Sequence, residues 1–102
     1  MATTKEYRNY VLDTINMDGV TYKPMMGEYL LYYNNVLFGG IYDDRLLVKI
    51  VDSNKKYNME KAIPYEGAKE MYLVDIDSNN LKDIITDTYE GLKSWKNKQN
   101  II

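Results

Sequence analysis

Between Tyr22 and Val51 the chain alternates short apolar runs with turn pairs, YKPMMGEYLLYYNNVLFGGIYDDRLLVKIV. This pattern predicts three antiparallel strands, Glu28–Tyr33, Val36–Tyr42 and Arg45–Val51, joined through Asn34-Asn35 and Asp43-Asp44. Asn and Asp tolerate the positive φ of two-residue hairpin turns. Val20–Tyr22 reads as a further short strand or an extended lead-in, and Pro24 suits an edge or a strand start. Tyr29, Leu31 and Tyr33 alternate with Glu28, Leu30 and Tyr32, so both faces of that strand carry apolar mass. In the third strand Leu46, Val48 and Ile50 form the expected core face. Gly39-Gly40 predicts a bulge or the close approach of a helix; the competing reading is a ligand or second chain against the backbone.

On either side of this block the apolar period changes to that of helices. Tyr7, Tyr10, Val11, Thr14 and Ile15 predict a helix over 3–17, with Thr3 and Glu6 as a capping box and Asp18-Gly19 as its end. Residues 52–62 are polar and read as a second helix. Glu70–Ile76 reads as a strand with Tyr72, Val74 and Ile76 on one face. Leu81, Ile84, Ile85, Thr88, Leu92 and Trp95 share one face of a helix over 79–96, with Gly91 as an alternative end. Residues 97–102 are expected to be a frayed tail. The order α-β-β-β-α-β-α, with an extra short strand, predicts a single two-layer α+β domain over 1–102. Its antiparallel sheet has about five strands, with the helices on one face.

Composition narrows the function classes. The 102 residues include no Cys and no His. Thiolate metal sites, a Cys nucleophile, the commonest general base and the commonest metal ligand are therefore absent. Glycines form no phosphate loop. Asp43-Asp44 and Asp75/Asp77 read as turn and cap residues rather than a cation site. No residue marks Lys49 or Lys69 as a reactive amine. The expectation is a protein that is not an enzyme and that uses no cofactor and no metal. A net charge of −2 argues against a phosphate-gripping surface. The nucleic-acid alternative rests on Lys93, Trp95, Lys96 and Lys98, or on Tyr29, Tyr32, Tyr33 and Tyr42 beside Arg45 and Lys49 as a stacking sheet. No apolar run reaches membrane-span length, and the first residues have no signal-peptide core; a cytoplasmic location is expected. Eleven Tyr against one Phe and one Trp read as the large core residue of a sheet-rich fold, or as a Tyr-lined binding face.

Met25-Met26-Gly27-Glu28-Tyr29, Leu37-Phe38-Gly39-Gly40, Asp43-Asp44-Arg45, Leu47-Val48-Lys49, Pro64-Tyr65-Glu66-Gly67 and Met71-Tyr72-Leu73 together resemble the N-terminal domain of the TfoX/Sxy family. The chain departs from that pattern at Met26, where Phe is usual, and at Glu28, where a second Gly is frequent. The resemblance covers roughly residues 5–92. It implies a stand-alone form without the family's helical C-terminal domain, a fold similar to type III secretion chaperones, and no enzymatic activity. It also implies a competence or transcription regulator working with a transcription factor or RNA polymerase.

The resulting expectation is a small interaction module acting through protein contacts. The two-sided apolar strands add a homodimer. A ligand pocket near Gly39-Gly40 and Lys49 is the alternative. Candidate partner or ligand residues are Met26, Glu28, Tyr29, Gly39, Gly40, Arg45, Lys49, Tyr65 and Tyr72.

Overall fold

The computed structural model describes residues 2–100, and side chains as far as residue 93. Helix α1 (Lys5–Ile15) is followed by strands β1 (Val20–Met25), β2 (Glu28–Tyr33), β3 (Val36–Ile41) and β4 (Leu46–Val48). A 3-10 turn at Asp52–Tyr57, strands β5 (Glu60–Ala62) and β6 (Met71–Val74), and helix α2 (Leu81–Asn100) complete the chain. The fold is α+β: one six-stranded antiparallel sheet in the order β1-β2-β3-β4-β6-β5, with both helices packed on it. The sheet therefore has one strand more than expected.

Three two-residue turns build the first four strands. Met26-Gly27, Asn34-Asn35 and Asp43-Asp44 all hold positive φ at both positions. That geometry matches the right-handed twist of the strands they join. Val20–Met25 is a full edge strand that contains Pro24, whose missing N–H costs nothing on an unpaired side. The segment 52–62 is not a helix: Asn58 adopts φ 53° after one 3-10 turn, and Glu60–Ala62 then joins the sheet beside β6. The strand expected over Glu70–Ile76 is confined to Met71–Val74.

One face of the sheet makes the core. Tyr29, Leu31, Phe38, Ile41, Leu46, Val48, Tyr72 and Val74 meet Val11 and Ile15 of α1 and Leu81, Ile84 and Ile85 of α2. A bulge between β2 and β3 leaves Phe38 without a partner on β2. It lets Phe38 and Ile41, three residues apart, share this face, which strict alternation forbids. Thr4, not Thr3, caps α1 by accepting from the Tyr7 N–H at 3.1 Å. The helix closes at Asn16 in the left-handed region, short of Gly19. Gly91 stays inside α2, where it lies against Val51 and Ser53. The expectations for 94–102 beyond the helical backbone to Asn100 lie outside the described residues.

The 3-10 turn is docked on α2 by polar groups. The buried Asn54 amide donates to the Lys49 carbonyl and to Thr88 Oγ1, both at 2.8 Å, and accepts from the Val51 N–H. Both N–H donors and the oxygen of that amide are thereby engaged, as burial requires. Nearby, the Tyr57 hydroxyl donates to Asp87 Oδ2 at 2.5 Å, and Lys56 pairs with the same oxygen at 3.0 Å. The hydrogen bond holds the Tyr57 phenol neutral to about 12, against an ordinary 10.0. The Tyr57 and Lys56 contacts hold the Asp87 carboxyl below its ordinary value.

The phenol ionises more readily unfolded than folded. Its contribution to stability is therefore full below pH 10 and declines as pH rises to about 12. The Asp87 contribution has the opposite sense and is lost in acid, below the ordinary carboxyl value of 3.8. Denaturant melts across alkaline pH should show Tyr57→Phe less stable than the parent near neutrality, with the gap closing above pH 10. A gap independent of pH would refute the coupling.

Candidate functional site

The opposite, outer face of the sheet has no helix on it among the described residues. Leu30, Tyr32, Leu37, Leu73 and Met71 are half-buried there. Leu47 points to the same side yet is fully buried. Its cover begins with Tyr42, whose ring lies over Gly40, the cross-strand partner of Leu47. A Cβ on Gly40 would stand 2.6 Å from that ring, so the missing side chain makes the ring's seat. The segment Ile63–Glu70 then folds back over this side, and an open groove of about 480 Å³ remains between it and the strands.

Leu37, Gly39, Lys49, Ile50 and Met71 line the groove from the sheet side. Tyr42, Pro64, Tyr65, Ala68, Lys69 and Glu70 complete it. Arg45 holds the wall: its guanidinium donates to the carbonyls of Ile63 at 3.2 Å and Pro64 at 3.3 Å, while its Nε donates to the Tyr42 carbonyl. Pro64 is buried, and the Ala68 N–H closes a turn onto the Tyr65 carbonyl at 3.1 Å. Burial raises the Tyr42 phenol above its ordinary value, with smaller contributions from Tyr65, Glu28 and Tyr32. The Tyr42 and Tyr65 rings stand 6.1 Å apart and tilted by 54°.

The nine candidate residues thus separate by location. Gly39, Lys49 and Tyr65 line the groove. Gly40 and Arg45 shape it without lining it. Tyr29 and Tyr72 are in the core on the helix side. Arg8 lies over both the Tyr22 and Tyr29 rings, 4.9 and 5.1 Å from their centroids.

Glu28 is a structural tie. Its carboxylate accepts from the Thr3 N–H at 2.9 Å, the Thr3 hydroxyl at 2.7 Å and the Asp43 N–H at 3.1 Å. The Asp44 carboxylate accepts from the Thr4 N–H at 3.0 Å. These bonds fasten the start of α1 to the turn between β3 and β4, and they draw Thr3 out of the capping role. Met26 sits at the tip of the β1–β2 turn, 98% exposed.

Of the nucleic-acid candidates, Lys93 lies beside Glu90 at 3.8 Å and over the Tyr89 ring. The side chains of Trp95, Lys96 and Lys98 lie outside the described residues. The stacking set is divided: Tyr29 and Tyr33 face the helices, Tyr32 and Tyr42 the other side. Among the described residues no three carboxylates gather closely enough to hold a metal ion. No described helix is long and apolar enough to cross a membrane.

Sequence reasoning did not single out Pro64, Ala68, Lys69, Glu70 and Met71 as one surface with Leu37 and Ile50. Asn54 carried no signal, because a polar residue in a polar run looks solvent-facing; Thr88 shares the apolar face of its helix in the sequence pattern and is buried there.

No protein-family model matches the chain, and no solved structure does. The TfoX/Sxy resemblance therefore rests on its motifs. Over 78 residues the chain is 35% identical to the uncharacterized 12.7 kDa protein in the trpE 5' region of Spirochaeta aurantia. The match spans 74% of this chain and 68% of the relative. The chain belongs to the same family as that Spirochaeta aurantia protein.

Proposed function

We propose that this domain is a non-enzymatic interaction module, similar to the N-terminal domain of TfoX/Sxy regulators, that binds a protein partner on the outer face of its sheet. The observation that carries the reading is the row Leu30, Tyr32, Leu37, Leu73 and Met71, apolar side chains on a face to which, among the described residues, neither helix contributes. Apolar surface gathered in one place, rather than scattered singly, is the usual mark of a contact surface. The resemblance names the partner class as a transcription factor or RNA polymerase in a cytoplasmic setting. A second copy of the chain is the competing occupant.

The test is affinity capture of the tagged domain from its native cells, with an immunoblot for RNA polymerase and mass spectrometry for transcription factors. The parent should retain one of them, and Leu30→Lys with Leu73→Lys should lose it while melting cooperatively. Retention unaffected by these changes would overturn the assignment of the face. Sedimentation showing dimers that the same changes dissociate would replace the heterologous partner by self-association.

A further inference from the structure

The groove beside β4 has a chemistry different from the rest of the outer face. We propose that it binds a small molecule with a flat apolar body and one anionic headgroup, a carboxylate or a phosphate, held by Lys49 and Lys69. Three observations converge on that chemistry. Leu37, Ile50 and Met71 offer apolar contact, and Tyr65 is a large ring left 55% exposed beside Tyr42. A flat ligand body covers such a ring at little entropic cost, since Tyr has few rotamers to lose.

Lys49 and Lys69 both line this groove, and among the described residues neither is held in an ion pair. Lys49 is half-buried, so part of its hydration is already gone. A cation in that state gains more from an anion than a fully solvated one does. Among the described residues Glu70 is the one carboxylate lining the groove, so the two lysines leave one positive charge in excess. That balance favours a monoanion and disfavours a cation.

Size and rigidity agree. About 480 Å³ is in the range of small-molecule sites and suits a body of one or two rings. The wall is held in place by Arg45 and by buried Pro64. A preformed wall lowers the ordering cost of binding. Leu30, Tyr32 and Leu73 of the apolar row lie outside the groove lining, whereas Leu37 and Met71 belong to both, so the protein contact is tested at Leu30 and Leu73 and the ligand at the two lysines.

The test is a titration of isotope-labelled full chain with indole-3-acetate and, separately, phenyl phosphate, followed by amide chemical shifts. Saturable shifts are expected at Gly39, Lys49, Ala68 and Lys69, with the better of the two probes identifying the headgroup. Lys49→Gln with Lys69→Gln should weaken binding about tenfold or more, the size of a lost charge-assisted contact, with an unchanged melt. Indole, which has the same ring and no charge, should bind more weakly by a similar factor.

Shifts centred elsewhere, equal binding of indole, or no saturation by either anion at concentrations of about 10 mM would overturn the proposal. None of these results bears on protein capture through Leu30 and Leu73, so the two readings fail separately.

Discussion

Phe38→Ala is expected to lower the unfolding free energy by roughly 3–5 kcal/mol, the largest effect of any single truncation among the described residues. Phe38 is the only Phe and is fully buried. It belongs to the core that joins both helices to the sheet. Its place in the bulge makes collapse of the resulting cavity difficult, because β2 has no residue opposite it to move in. A domain of this size has about 5–15 kcal/mol in total, and each kcal/mol moves the melting temperature by roughly 4–8 °C. The variant should therefore melt some tens of degrees lower. Urea melts would check it; a loss below about 1 kcal/mol would show that the bulge does not place this ring in the core.

Gly39→Ala should cost about 3 kcal/mol, near the top of the usual range for overpacking. A Cβ there runs into the carbonyl oxygen of Leu47 and lies 2.9 Å from the Cα of Val48, so the obstacle is backbone of β4 rather than the end of a mobile side chain. Relief requires β3 and β4 to part where Gly39 pairs with Val48. Hydrogen exchange should then show the Lys49 amide, bonded to the Phe38 carbonyl at 2.9 Å, losing protection first. A variant as stable as the parent, with that amide still protected, would refute the contact. The glycine pair is thus explained by packing: one member accommodates a neighbouring strand, the other the Tyr42 ring. Neither explanation involves a helix, the element anticipated from sequence beside the bulge.

The candidate site was only partly legible before the fold was known. Gly39, Lys49 and Tyr65 stood out in the sequence and do line one groove. Glu28 stood out because a family pattern often has Gly there, and its role proves to be fastening Thr3 and Asp43. Tyr29 and Tyr72 were conspicuous as aromatics, but alternation alone does not say which sheet face the helices cover. Arg45 was read as a binding residue, whereas its guanidinium is occupied by the carbonyls that position the groove wall. Lys69 and Glu70 entered the site through the course of a loop, for which local pattern supplies no rule.

What the sequence determined by itself is local. Turn pairs able to hold positive φ at Asn34-Asn35 and Asp43-Asp44 define hairpins, since registers one residue away would turn every side chain to the wrong face. The helical periods of α1 and α2, and the α+β class, follow from short-range repetition in the same way. The lack of His and Cys removes whole kinds of chemistry without any coordinates. Tertiary structure decided the rest. It made Glu60–Ala62 a strand, because an edge of β6 was available to pair with a segment whose own propensity is weak. It buried Asn54, because α2 offered Thr88 to complete the bonding that burial demands. It gathered Lys49 and Lys69 in one groove across twenty residues of chain. Sequence separation says nothing of such proximity; it arises when Arg45 ties a returning loop over the open face of the sheet.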